Sequence, residues 1–141
     1  MIQVHKITNV DYIFETPKHI NKVVFVKNKL WMSENEIANL FDTPQEEIHA
    51  TISKTFLEGE YDIFDHIISR FNVSMNKHVK YYSLEIILSL GYRLKTFNET
   101  KSIIAGNRII KEHKNNTKWK LSLFQNSMKN ITKIFKSLQI W

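Results

Sequence analysis

The sequence has no cysteine, few glycines and no long apolar run, and each absence excludes a class of protein. Because none of its 141 residues is a cysteine, it cannot form disulfides, zinc–thiolate sites or a thiol nucleophile. Its three glycines, Gly59, Gly91 and Gly106, lie in no glycine-rich phosphate-binding motif, which excludes nucleotide binding through such a loop. No apolar run approaches the length of a membrane span, and the first residues show no signal-peptide pattern. We therefore expect a cytoplasmic protein with no membrane association.

The charge of the chain is unevenly distributed. Twenty Lys and Arg against 14 Asp and Glu give a net charge of +6, which favours an anionic partner such as nucleic acid. Residues 1–32 carry +3, residues 33–66 carry −8, residues 67–110 carry +5 and residues 111–141 carry +6. Any proposal of nucleic-acid binding must therefore account for the strongly acidic segment.

The first half of the chain predicts a β-hairpin followed by a pair of helices. The apolar runs 23–26 and 30–32 are separated by a short polar spacer, as in a hairpin. Ser33 and Glu36 have the spacing of a capping box at the start of a short amphipathic helix. Thr43 and Pro44 mark a second helix start, and this helix, over residues 44–57, ends before Gly59. Two short helices joined by a tight turn predict a helix-turn-helix.

The second half predicts a further hairpin and more helices. The β-like runs 67–73 and 79–82 flank a polar tip, so we expect a hairpin in the position of a wing. Ser83 caps a helix that ends at Gly91, and a further helix is expected from about Asn98 to Lys114. The pattern therefore predicts a winged helix-turn-helix arrangement.

The last segment, residues 117–140, carries an apolar stripe with heptad spacing among several lysines. The stripe packs either against its own domain or in the seam of a homodimer, and we expect a homodimer. The predicted interface residues are Leu121, Phe124, Met128, Ile131, Phe135 and Leu138.

Residues 31–113 resemble the virulence-associated RhuM family of bacterial and prophage proteins. The matching pieces are Trp31-Met32-Ser33, Ile37-Ala38-x-Leu40-Phe41, Phe56-x-Glu58-Gly59-Glu60, Lys80-Tyr81-Tyr82-Ser83-Leu84-Glu85-x-Ile87 and Gly91-Tyr92-Arg93. The resemblance implies a winged helix-turn-helix-like region often associated with mobile elements, and it does not imply catalysis. Relatives carry basic or hydroxyl residues around the second helix, where this chain has Gln45, Glu46, Glu47 and Ser53.

Together these observations predict an α+β protein. We expect a mostly helical winged helix-turn-helix-like domain with an N-terminal β-hairpin over residues 1–115, and a long C-terminal amphipathic helix over residues 116–141. We expect a DNA-binding regulatory protein of a mobile-element or prophage-type locus. The alternative is a protein-interaction module on a winged-helix scaffold that does not read DNA. In that case either the acidic surface of residues 33–66 meets a basic partner, or the lysine-rich C-terminal end meets an acidic one.

The candidate DNA contacts are polar or basic residues of the second helix, the wing and the helix that follows. Such side chains reach base edges and phosphates in DNA complexes. The predicted contacts are Gln45, His49, Ser53, Lys54, Arg70, Asn76, Lys77, His78, Lys80 and Arg93.

Catalytic and metal-binding residues are not predicted. The six histidines have no metal-ligand spacing, and no Ser, Asp and His form a nucleophile motif. The polar cluster Asp62-x-x-Asp65-His66 is better explained as a capped loop than as a metal site. We therefore expect neither an enzyme nor a cofactor.

Overall fold

The computed structural model describes residues 2–94, 96 and 98–114. The chain divides into two units, Met1–Ile109 and Ile110–Trp141. In the second unit, the described residues 110–114 are helical. The predicted C-terminal helix over residues 116–141, with its dimer stripe, lies outside the described residues.

The first unit is built on a six-stranded antiparallel sheet. Its strands are β1 (Gln3–Lys6), β2 (Asp11–Glu15), β3 (Ile20–Val26), β4 (Lys29–Ser33), β5 (Ile67–Asn72) and β6 (Lys77–Ser83). Their order across the sheet is β1-β2-β3-β4-β6-β5. The only neighbours in this order that are not consecutive along the chain are β4 and β6, where Trp31 pairs with Ser83 and Ser33 with Tyr81.

The β3–β4 hairpin is confirmed, and its turn explains its register. Val26 pairs with Lys29, so Lys27 and Asn28 form a two-residue loop. Both residues have positive φ, 54° and 63°, as a type I′ turn requires. The polar spacer therefore fits the right-handed twist of the two strands.

The two predicted helices after β4 are α1 (Glu34–Leu40) and α2 (Gln45–Leu57). Ser33 Oγ accepts a hydrogen bond from the amide of Glu36 and so caps α1, as predicted. In a complete capping box the Glu36 side chain would also accept from the amide of Ser33. Here Glu36 Oε2 accepts instead from the amide of Lys22 on β3. Glu36 therefore ties α1 to the sheet instead of closing its own cap.

Helix α2 begins after Pro44 and has Glu46 and Glu47 in its first turn, where the helix dipole favours acidic residues. Gly59, with φ of 81°, takes the left-handed conformation that ends the helix. A short helix, α3 (Ile63–His66), follows, and Asp62 Oδ1 caps it by accepting from the amide of Phe64. Asp62 therefore acts as a cap, but of a short helix and not of the predicted loop.

Helix α4 (Leu84–Arg93) leads directly out of β6, and Ser83 Oγ accepts from the amide of Ile86. It continues two residues beyond the predicted end at Gly91. A fifth helix, α5, covers the described residues 98–114, as predicted. Within the first unit, Asn107 Oδ1 of α5 accepts from the amide of Leu30 on β4, which joins the helix to the sheet.

The core of the first unit lies between the sheet and these helices. Its largest fully buried side chains come from β2, β3, β4, α1, α2 and α4, and they are Tyr12, Phe14, Phe25, Leu30, Trp31, Met32, Ile37, Leu40, Ile48, Ile86, Ile87 and Leu90. Burial of this apolar surface is the main force that holds the sheet and helices together.

The prediction of a mostly helical winged helix-turn-helix-like domain with a single N-terminal hairpin is wrong. Strands β1 and β2 extend the β3–β4 hairpin on one side, and β4 pairs with β6 on the other. All six strands of the described chain therefore form one large sheet. The physical reason is that the exposed strand β1 is mostly polar, and that the pairing of β2 with β3 and of β4 with β6 joins separate segments and leaves no local signal.

Candidate nucleic-acid interface

The predicted contact residues of α2 lie on its exposed side. Gln45, His49, Ser53 and Lys54 are all solvent-exposed. Two of them are already engaged, because Gln45 Nε2 lies 3.3 Å and His49 Nδ1 lies 2.9 Å from the carboxylate of Glu34. The same side of the chain exposes Glu46 and Glu47 in the first turn. The helix therefore presents an acidic surface with Lys54 as its one basic side chain in the described residues Gln45–Leu57.

The β5–β6 hairpin presents basic side chains on both of its faces. Alternate residues of a strand point to opposite faces, so Lys77 lies on one face of β6 and His78 and Lys80 lie on the other. All three are exposed, and the two lysines form no ion pair among the described residues. The ring of His78 stands edge-on to that of Phe71, with their centroids 5.3 Å apart. Three of the predicted contacts on the hairpin are thus accessible.

The hairpin ends in a turn that its own hydrogen bonds hold in shape. Asn72 Oδ1 accepts from the amide of Met75 at 3.1 Å, and the amide of Asn76 donates to the carbonyl of Val73 at 3.2 Å. Asn76 closes the turn with φ of 51°, a conformation that Asn tolerates better than most residues. The turn holds Val73 and Met75 at the surface, 84% and 54% exposed.

Arg70 connects the hairpin to strand β2. Its guanidinium donates two hydrogen bonds to the carboxylate of Asp11, at 2.6 and 3.3 Å, and its cation lies 5.8 Å from the ring centre of Tyr81. The hydrogen bond from Arg70 holds the pKa of Asp11 below its usual value. The charge of Arg70 is therefore neutralised by an ion pair within the protein. Arg70 is also the least exposed of the predicted hairpin contacts.

Arg93 also forms an ion pair within the protein. Its guanidinium makes a bidentate ion pair with Glu58, just after the end of α2. Hydrogen bonding to Arg93 lowers the pKa of Glu58. This pair joins the end of α4 to the end of α2, so both charges already have a partner within the protein.

An open cleft of about 720 Å³ lies between the hairpin, the strands β2 and β3, and the first turns of α1 and α2. It brings five of the ten predicted contacts together: Gln45, His49, Lys77, His78 and Lys80. Glu34, Glu36 and Lys22 also line it. Acidic groups from the helix side therefore face basic groups from the hairpin side, and the cleft is not uniformly positive.

The other five predicted contacts do not line the cleft, and two of them, Arg70 and Arg93, form the ion pairs described above. Ser53 and Lys54 are farther along α2 and do not line the cleft, and Asn76 is part of the hairpin turn. The structure also shows two residues that the sequence analysis missed, Asp11 and Glu34, which neutralise or orient predicted contacts. No periodicity or motif links Asp11 to Arg70, because their contact depends on the curvature of the sheet.

A second polar cluster surrounds His66, and its geometry differs from that of a catalytic triad. Its Nδ1 lies 2.7 Å from Ser83 Oγ and 3.8 Å from Glu85 Oε2. Ser83 and Glu85 thus approach the same ring nitrogen of His66. A Ser–His–carboxylate triad needs the serine and the carboxylate on opposite nitrogens of the ring. Within residues 2–94, 96 and 98–114 no group of three or more His, Asp or Glu side chains could hold a metal ion.

Comparison with known proteins gives no relative. The chain matches no family model, no curated protein and no solved structure. In the described part of the chain, no helix has both the length and the apolar character needed to cross a membrane.

The charges of the first unit sum to zero. Residues 1–109 contain 13 Lys and Arg and 13 Asp and Glu, so the whole net charge of +6 belongs to residues 110–141. Attraction of this unit to an anion must therefore come from local arrangement, and the hairpin is where that arrangement is basic.

Proposed function

We propose that the protein binds DNA and that the β5–β6 hairpin makes the principal contacts of the first unit. The observation that carries this proposal is the exposure of Lys77 and Lys80 on opposite faces of one strand. A hairpin that is basic on both faces can approach the phosphates on either side of a groove. Phosphate contacts of this kind supply most of non-specific DNA affinity.

In this proposal α2 has a secondary role. Its exposed Glu46 and Glu47 would be repelled by phosphates, and its one lysine is Lys54. Gln45 and His49 line the cleft beside the hairpin and are oriented by Glu34. They can contact a strand that the hairpin has already bound.

The regulatory role at a mobile-element locus, the cytoplasmic location and the homodimer remain predictions from the sequence. The first rests on the resemblance of residues 31–113 to the RhuM family, and the last on the apolar stripe in residues 117–140. The proposal of DNA binding depends on neither, because the hairpin belongs to the first unit.

The salt dependence of DNA binding tests the proposal. The full chain would be titrated against a fluorescent random-sequence DNA duplex at several salt concentrations, with anisotropy as the signal. Removal of two phosphate contacts in a Lys77→Ala/Lys80→Ala variant is expected to reduce the slope of log K against log salt by about 1.8, since each contact contributes about 0.9.

The matched control is Lys6→Ala/Lys18→Ala, which removes the same charge from two exposed lysines outside the cleft. It is expected to leave the slope nearly unchanged, and Lys54→Ala tests α2 separately. Equal slopes for the hairpin variant and the control would contradict the proposal, as would the absence of binding at micromolar protein in low salt.

A second candidate function is a protein-interaction module, favoured by the surface after α2. Leu57 is 86% exposed and Phe64 is 90% exposed, and Ile63 is exposed beside them in sequence. Glu60, Asp62 and Asp65 alternate with these apolar residues. Exposed apolar groups among acids fit a basic amphipathic partner.

Calorimetric titration with a helical peptide of lysine and leucine tests this second function. Phe64→Ser is expected to weaken peptide binding without changing the salt dependence of DNA binding. Ile20→Ser is the control, since Ile20 is also exposed but lies on β3. If Phe64→Ser and Ile20→Ser affect the peptide equally, the 57–65 surface has no special role.

A further inference from the structure

The tip of the β5–β6 hairpin is both apolar and fixed in shape, and the proposed function does not by itself explain it. Val73 and Met75 are exposed at the tip, and Phe71 is exposed on the adjoining end of β5. These exposed apolar side chains do not pack in the core. They are also not needed for solubility, because the lysines near the tip already provide it. A cluster of this kind marks a surface that is buried in a complex.

The turn fixes the backbone that carries Val73 and Met75 before any partner binds. Asn72 and Asn76 fix the backbone through the two hydrogen bonds of the turn and the positive φ of Asn76. A preformed tip loses little conformational entropy on binding, so more of the contact energy appears as affinity.

The charges next to the tip indicate its partner. Lys77 directly follows the turn, and His78 and Lys80 continue along β6. No acidic residue lies between Ile67 and Tyr82. An apolar tip on a hairpin that carries basic and no acidic side chains is complementary to a polyanion with an apolar interior, and stacked base pairs between two phosphate backbones have that composition.

We propose that Val73 and Met75 act as a wedge that enters the DNA minor groove and partly unstacks a base step. Apolar side chains used in this way kink and unwind the duplex, and the unstacking costs a few kcal/mol per step. Lys77 and Lys80 hold the hairpin against the backbone while the tip inserts. This inference rests on the proposed DNA-binding function and adds a deformation of DNA to it.

Unwinding of closed circular DNA tests the wedge separately from affinity. Plasmid would be relaxed by a topoisomerase in the presence of the full chain, and its topoisomers would be separated after removal of protein. The wild type is expected to shift the topoisomer distribution toward lower linking number. A Val73→Ser/Met75→Ser variant is expected to lose that shift while its affinity for the duplex at low salt falls by less than tenfold.

Ile20→Ser is the matched control, because it removes another exposed apolar side chain away from the tip. It is expected to retain the shift. Both tip residues are exposed, so their substitution has little effect on folding, and thermal unfolding checks this for each variant.

Each remaining outcome has a distinct meaning. Binding by the wild type without a topoisomer shift overturns the wedge and leaves the proposed function in place. Absence of binding overturns both. Co-sedimentation with phosphatidylserine vesicles that depends on Val73 and Met75, without plasmid unwinding, would assign the tip to a lipid surface and also overturn the wedge.

Discussion

The ion pair between Arg70 and Asp11 gives the most informative single perturbation, Asp11→Asn. Asparagine keeps the shape of the side chain and one oxygen that can accept from Arg70, but it replaces the oxygen that accepts from Thr8 and removes the charge. The side chains of Arg70 and Asp11 are 39% and 27% exposed, so solvent screens the pair. The bidentate geometry offsets part of that screening, and we expect a loss of about 1 kcal/mol in the free energy of unfolding at neutral pH.

The pH dependence of unfolding distinguishes the ion pair from a loss of packing. The pKa of Asp11 is lowered from its ordinary value of 3.8 in the folded protein. Stabilisation by this group is therefore present above that value and is lost as the pH falls through the lower folded pKa. Urea unfolding at pH 7 and at successive values below 4 is expected to show that the difference between wild type and Asp11→Asn shrinks with acid.

The same Asp11→Asn substitution, which is expected to lower the stability of the fold, is expected to strengthen the electrostatic part of DNA binding. Without Asp11 to neutralise it, Arg70 adds a positive charge to the hairpin, and the slope of log K against log salt is expected to steepen by up to about 0.9. Asp42→Asn is the control, since Asp42 is exposed and its positive φ suits Asn. A constant difference in stability at all pH values, together with equal DNA slopes for the two variants, would refute the reasoning.

Three further substitutions test the fold. Gly91→Ala is expected to destabilise the protein by about 1–3 kcal/mol, because its Cβ would lie 2.0 Å from Thr100 Oγ1; adding Thr100→Ala should recover part of that loss, and additive losses in urea unfolding would contradict the contact. Asn107→Leu leaves the buried amide of Leu30 without its acceptor and is expected to cost about 1–3 kcal/mol; an unchanged melting temperature would show that the bond contributes nothing. Asn76→Gly relieves the positive φ of the hairpin turn and is expected to change stability by less than about 1 kcal/mol, whereas Asn76→Val should cost more than Gly.

Local signals in the sequence predicted the local elements well. The β3–β4 hairpin, the starts of α1 and α2, the β5–β6 hairpin and the α4 cap all follow from turn residues and caps within a few positions of one another. Each depends on short-range sterics and hydrogen bonds, which the sequence contains directly.

The sheet and the ion pairs could not be predicted in this way. Strand β1 has the sequence Gln3-Val4-His5-Lys6, whose polar residues give little strand signal, and it is held by pairing with β2. The contact of Arg70 with Asp11 and that of Arg93 with Glu58 join elements far apart in the chain. As a result, the sequence predicts both arginines as DNA contacts, although each forms an ion pair within the fold.

The pairing of β4 with β6 has a consequence for how the chain folds. The β3–β4 and β5–β6 hairpins each join neighbouring segments, and such hairpins form within microseconds. Trp31 can meet Ser83 only after the intervening helices have brought the two hairpins together, and this ordering of a long loop is the slow step in chains with distant contacts. We therefore expect a transition state in which the hairpins are formed and their junction is not. Substitutions in the hairpin turns would then slow folding, while substitutions at the β4–β6 junction would mainly speed unfolding.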